Sequence, residues 1–176
     1  MEEDCYSPRD KVYAVVVQNP GLHFREIQRR TNLATGAIQY HISYLERKNY
    51  IKSKKEGKFL RFYANGENVD TNLMNLLRQK QLRTIVLFLL NKRRATAKVI
   101  SQSTDFPLNI TKNYLSKLIE SKIVSKTTEK SLTFYSINEK EKIISLFIIH
   151  KKSFLDSLVD SFVDIWENEL SLVEDD

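Results

Sequence analysis

Along residues 8–65 the apolar positions follow three helical rhythms and then two alternating ones. Val12, Val15 and Val16 mark one face of a first helix, with Ser7 suited to cap it and Pro8 to open it. Asn19-Pro20-Gly21 ends that helix. Phe24 and Ile27 predict a short second helix over about 23–31. After a turn at 32–34, a third helix is expected from a Thr35 cap to about residue 48, with Ile38, Ile42 and Leu45 as its buried stripe. "YIKSKK" and "KFLRFYA" read as two strands around Glu56-Gly57, where glycine supplies the positive φ of a tight hairpin.

The pattern then recurs about 73 residues later. "HFREIQRRTNLATGAIQYHISYLERKNYIKSKK" lies over "TAKVISQSTDFPLNITKNYLSKLIESKIVSKTT" without a gap, placing Ile27 on Ile100, Ile42 on Leu115 and Leu45 on Leu118. The second hairpin is expected to be one residue shorter, so that Phe62 and Tyr63 fall on Phe134 and Tyr135. The second unit is predicted to have a helix ending near Asn91, short helices at 96–103 and 109–121, and strands at 123–127 and 132–137. Leu73, Leu76 and Leu77 form a stripe out of phase with Leu82, Ile85 and Val86, which predicts a break near Gln79. From Asn138 to about Val173 the rhythm is that of one long helix. Its apolar face carries Leu155, Leu158, Val159, Phe162, Ile165 and Trp166. The expected architecture is mainly α with small β-hairpin wings, an α+β fold. Two units at 1–66 and 67–138 are followed by a helix over 139–176.

Charge sharpens this picture. Residues 8–65 hold 12 Lys and Arg against 4 acids, and residues 73–138 hold 12 against 3, whereas residues 139–176 hold 4 against 10. Two basic modules call for a polyanionic partner, and the acidic tail for a different task. The apolar runs "TIVLFLL" and "IISLFII" are too short to span a bilayer, and "MEEDCYSP" lacks a signal-peptide layout, so a cytoplasmic protein is expected. Cys5 is the single cysteine and no Cys/His cluster exists, so no metal site is expected. With four glycines the chain has no phosphate-cradling loop, and no catalytic constellation stands out. Neither a cofactor nor an enzymatic activity is expected.

A third helix preceded by a short one, with small and hydrogen-bonding residues at its start, suits the major groove of duplex DNA. Thr35, Gly36, Ala37, Gln39, Tyr40, Ser43 and Arg47 are its candidate contacts, with His41 beside the buried stripe. His23, Arg25 and Arg29 near the second helix are candidate phosphate contacts. Lys54, Lys55 and Lys58 of a basic wing over 52–61 are assigned to the backbone or minor groove. In the second unit the matching surface offers Asn109, Lys112, Asn113 and Lys117.

On these residues "GLHFREIQRRTNLATGAIQYHISYLERKNYI" resembles the winged helix-turn-helix regulators of archaea, and within them the ArsR/MarR-like branch. That branch places a "V-S-x-H-L" core and a "G-L-V" exit before its wing. Here the core reads Ile38-Gln39-Tyr40-His41-Ile42 and the exit Asn49-Tyr50-Ile51. The resemblance covers residues 8–65 clearly and 80–137 weakly, implying a tandem type. It implies that Gln39, Tyr40 and Ser43 face bases and that His41 sits near the backbone. The paired cysteines of metal-sensing members are absent, so metal sensing is not carried over. The function expected is sequence-specific binding of double-stranded DNA in transcription regulation, with the terminal helix either joining a homodimer or packing across the two modules. The main alternative is a protein–protein adaptor with only non-specific nucleic-acid affinity, and RNA binding is a third reading.

Overall fold

The computed structural model describes residues 7–66, 69–154 and 158–164, in two compact units that divide between Asn75 and Leu76. The fold is α+β, mainly helical with small antiparallel hairpin sheets.

The first unit runs α1 (Pro8–Gln18), β1 (Leu22–His23), α2 (Phe24–Thr31), α3 (Thr35–Arg47), β2 (Ile51–Glu56), β3 (Phe59–Ala64) and the start of α4 (Thr71–Arg78). The Ser7 hydroxyl accepts the Asp10 N–H at 3.2 Å while the Asp10 carboxylate accepts the Ser7 N–H at 3.2 Å, the reciprocal cap expected at α1. Val12, Val16, Leu22, Ile27, Ile38, Ile42, Leu45, Ile51 and Phe62 bury one core. Each such side chain contributes roughly 1.5–3 kcal/mol on leaving water. Thr35 does not cap α3. Ala34 holds that position without a side-chain bond, and Thr35 Oγ1 instead accepts from Gln28 Nε2 at 2.9 Å, tying α2 to the first turn of α3.

The sheet runs β1-β3-β2, all antiparallel, and the two-residue β1 was not predicted. It is too short to show alternation, and its pairing to β3 is a long-range event. The period of two along β2 places Ile51, Ser53 and Lys55 on one face and Lys52, Lys54 and Glu56 on the other. The second face carries Arg61 and Tyr63 and meets the start of α4, where Tyr63 Oη donates to the Thr71 carbonyl at 3.3 Å and Asn75 Nδ2 to Glu56 at 2.9 Å. Arg61 is buried there, and its Nη1 donates to the Gly21 carbonyl at 2.7 Å. Gly21 itself has φ +81°, and a Cβ on it would lie 3.2 Å from Tyr63 Oη and 3.3 Å from Met74 Cγ. Gly21→Ala is expected to lower stability by about 1–3 kcal/mol through that backbone conformation and crowding. The measurement is the urea midpoint, which should fall at unchanged denaturant slope.

The second unit takes up the rest of α4, then α5 (Lys80–Lys92), β4 (Arg94–Thr96), α6 (Ala97–Thr104), α7 (Leu108–Glu120), β5 (Val124–Glu129), β6 (Leu132–Ile137) and α8 (Lys140–Phe154). Gln79 is extended (φ −81°, ψ 111°), which makes the expected break between α4 and α5. The sheet order β4-β6-β5 matches that of the first unit. Elements begin at 24, 35, 51 and 59 in one unit and at 97, 108, 124 and 132 in the other, a constant offset of 73 residues. No residue is therefore lost in the second hairpin, and Phe62 corresponds to Tyr135 rather than Phe134. The pairings Leu22 with Phe62 and Ala95 with Tyr135 fix that register. Lys130 and Ser131, both at positive φ, make the turn that Gly57 and Lys58 make in the first hairpin.

The tail departs from a single long helix. His150 is non-helical (φ −109°, ψ 19°) and kinks α8, and residues 158–164 form a further helical stretch. Val159 and Phe162, two residues of the stripe assigned to a dimer seam or to packing across the modules, are buried within the chain, Phe162 edge-on to Phe147 at 5.8 Å. Leu158 is exposed, and Leu155, Ile165 and Trp166 lie outside the described residues. A 3.6-residue stripe marks a buried face without saying what buries it. No described helix is long and apolar enough to cross a membrane.

Candidate nucleic-acid interface

The α2–α3 turn is made by Asn32 in the left-handed conformation (φ 53°), which asparagine tolerates better than most residues. Ile38, Ile42 and Leu45 then anchor α3 in the core and fix which side it shows to solvent. That side carries Thr35, Gly36, Gln39, Tyr40, Ser43 and Arg47, all exposed, with Tyr40 at 61% the most open aromatic among the described residues of the unit; Ala37 is half-buried. A Cβ on Gly36 would meet nothing within 4 Å, so the first turn of α3 has open space in front of it. His41 is half-buried beside Tyr40 (ring centroids 5.3 Å), and its Nδ1 is buried without a hydrogen-bond partner among the described residues. It therefore flanks the exposed row rather than belonging to it.

A second feature lies between α2 and the hairpin. His23, Phe24, Arg25, Gln28, Arg29, Lys58, Phe59 and Leu60 line an open cleft of about 970 Å³. The cleft unites His23, Arg25 and Arg29, which the sequence placed near the second helix, with Lys58, which it placed on the wing. Arg25, Arg29 and Lys58 form no ion pair with a carboxylate among the described residues. The His23 ring stacks on Phe59 (centroids 5.0 Å apart, planes at 11°), and Lys58 and Arg61 also approach that phenyl ring. Glu26 accepts the His23 N–H at 2.9 Å and lies 3.6 Å from its Nε2. Burial holds the imidazole below its usual pKa, aided by Arg61, Arg29 and Arg25 and opposed by Glu26. Phe59, Leu60 and Gln28 were missed as site residues. The signal for the first two was two bulky apolar residues beside a hairpin turn, where no core exists to take them.

The wing lysines separate. Lys55 and Lys58 are exposed, but Lys54 is turned to the opposite face of β2. Its Nζ lies 2.5 Å from Asn72 Oδ1, 3.4 Å from Thr71 Oγ1 and 3.2 Å from Glu56. Lys54 thus secures the start of α4 rather than joining Lys55, because neighbouring strand residues point to opposite faces.

In the second unit Asn109, Lys112, Asn113 and Lys117 are exposed on α7, over a stripe that includes Thr111, Leu115 and Leu118. At the equivalent positions among the described residues of this unit, no histidine stacks on a phenylalanine as His23 does on Phe59. The positions of His23, Arg29 and Lys58 are taken by Thr96, Gln102 and Ser131, and Arg94 instead pairs with Glu129 at 2.8 Å and covers Phe134.

Comparison with known proteins bears on this surface. Residues 7–72 match a family described as an N-terminal HTH domain, a span that begins at the α1 cap and ends in α4. Over that span the first unit is similar to a helix-turn-helix domain. The chain is also 32% identical over 132 residues, 74% of its length, to a protein of Methanocaldococcus jannaschii named as an uncharacterized HTH-type transcriptional regulator. That stretch spans only 33% of the relative's length.

Proposed function

We propose that the protein is a non-catalytic, sequence-specific double-stranded DNA-binding regulator of transcription, with α3 in the major groove and the hairpin on the flanking backbone or minor groove. The observation that carries it is the exposed row Thr35, Gln39, Tyr40 and Ser43 on a helix pinned by a buried stripe, beside a cleft whose Arg25, Arg29 and Lys58 form no ion pair with a carboxylate among the described residues. Gln39 has the donor and acceptor pair that reads adenine, and Tyr40 and Ser43 can reach bases or phosphates. The helix-turn-helix match and the relative named as a transcriptional regulator support this role. The constant 73-residue offset supports duplication of one winged unit, hence a tandem type. The resemblance of residues 38–42 and 49–51 is what favours the ArsR/MarR-like branch. The exposed Lys112, Asn113 and Lys117 of α7 suit a second, less discriminating DNA contact. The adaptor alternative finds less support, since Arg25, Arg29 and Lys58 are exposed and meet no carboxylate among the described residues.

The test is selection from random duplexes at physiological salt, followed by sequencing, with wild type beside a Gln39→Ala/Tyr40→Ala variant. Wild type is expected to enrich a motif, and the variant to lose roughly 1–3 kcal/mol of discrimination for each base contact removed. Both side chains are exposed, so the variant's melting temperature should stay near wild type. Absence of any enriched motif with wild type would reject specific reading and favour the adaptor.

A further inference from the structure

We propose that the cleft between α2 and the hairpin seats a short run of DNA backbone phosphates, and that the His23 imidazole takes up a proton as one of them enters, so that duplex binding is proton-linked. This rests on the DNA-binding reading above and adds to it a control by pH.

The geometry comes first. Arg25 and Arg29 stand one helical turn apart on α2, and Lys58 faces them from the hairpin turn, so the cleft presents positive charge from two sides. His23 sits at its edge, at the position just before α2, with one ring face closed by Phe59. Stacking fixes the ring plane, so its nitrogens have few directions in which to find partners. Gln28 also lines the cleft and holds Thr35, so a strand held here would run beside the first turn of α3.

The charges around His23 decide its protonation. From α2 it faces Glu26, Arg25 and Arg29, from β3 Arg61, and from the hairpin turn Lys58. Glu56, across the hairpin, is engaged by Lys54 and Asn75. In the free protein burial and the arginines outweigh Glu26 and keep the ring neutral at pH 7. A phosphate in the cleft neutralises the same arginines that disfavour the imidazolium and adds an acceptor for its N–H. Both changes favour the charged ring. The sign follows from linkage: a group that binds a proton more tightly in the complex makes binding tighter as pH falls. The gain begins at the bound-state midpoint and is complete below the free-state midpoint.

Two readouts test this. In the first, the His23 ring proton is followed by NMR from pH 5 to 8.5, free and saturated with a selected duplex, with His23→Gln identifying the resonance. The midpoint is expected to rise in the complex. In the second, duplex affinity is measured over the same range at constant ionic strength. Wild type is expected to tighten towards acid, by up to about tenfold per pH unit between the two midpoints, and His23→Gln is expected to lose that slope. An unmoved or lowered midpoint in the complex, or an equal slope in both proteins, overturns the proposal while leaving DNA binding intact. Sulfate, which does not titrate in this range, separates the sources of the anion. If sulfate alone raises the midpoint as far as duplex does, the cleft is a generic anion site rather than a DNA backbone seat. Wild type that binds no duplex at any pH rejects the DNA reading itself, and this proposal with it.

Discussion

Exchanging Arg25, Arg29 and Lys58 together for glutamine should weaken duplex binding by about a hundredfold at 0.15 M salt and flatten its salt dependence. Each cation that neutralises its own phosphate contributes about 0.9 to the slope of log K against log salt, so three contribute roughly 2.7. All three residues are exposed and carry no ion pair to a carboxylate among the described residues, so the loss should come without unfolding. The loss should also be uniform across sequences, because phosphate contacts position the protein without reading bases. That uniformity separates it from the Gln39→Ala/Tyr40→Ala variant, in which selectivity falls more than total binding. The decisive measurement is affinity at four or five salt concentrations for wild type and triple variant. An unchanged slope would mean that the backbone does not pass through the cleft. A Lys54→Gln variant supplies the control, since that ammonium is engaged by Asn72, Thr71 and Glu56 and does not line the cleft.

The contrast between Lys54 and Lys55 also shows what was legible in the sequence. Helix positions were, because Ile38, Ile42 and Leu45 recur at the helical period and each spacing reports a local fact. The two hairpins were legible for the same reason. Short strands such as β1 were not, since two residues carry no period and their pairing to β3 depends on a contact some 40 residues away. The cleft shares that origin: His23 and Phe59 meet only because β1 pairs with β3. Alternation along β2 already separated Lys54 from Lys55, but a run of lysines reads as one patch unless the strand's period is applied to it. Asn65 and Asn138 passed unnoticed although they sit at one position of the repeat. Each closes its unit by donating its amide to a carbonyl at 2.9 Å, that of Asn49 in one and of Lys122 in the other.

The second large effect concerns stability, and the internal repeat supplies its own control. Ile38 is fully buried at the start of α3, and truncation to alanine should cost the first unit about 2–5 kcal/mol. A domain of this size has little more than that to lose. At the equivalent position, 73 residues on, the second unit has Thr111, also fully buried. Its hydroxyl is satisfied by the carbonyls of Pro107 at 3.1 Å and Phe106 at 3.3 Å. The carbonyl of Ala34, which accepts the Ile38 N–H at 3.1 Å, stands where that of Pro107 stands. Ile38→Thr should therefore keep most of the β-branched volume and find a partner for its hydroxyl, so it should cost clearly less than Ile38→Ala. Denaturant unfolding of the three proteins decides the matter. If threonine proves as damaging as alanine, the two units do not share the backbone geometry around this turn closely enough for one to stand in for the other. A smaller loss with threonine would show that α3 tolerates a polar atom in its core stripe wherever the preceding turn offers it a carbonyl.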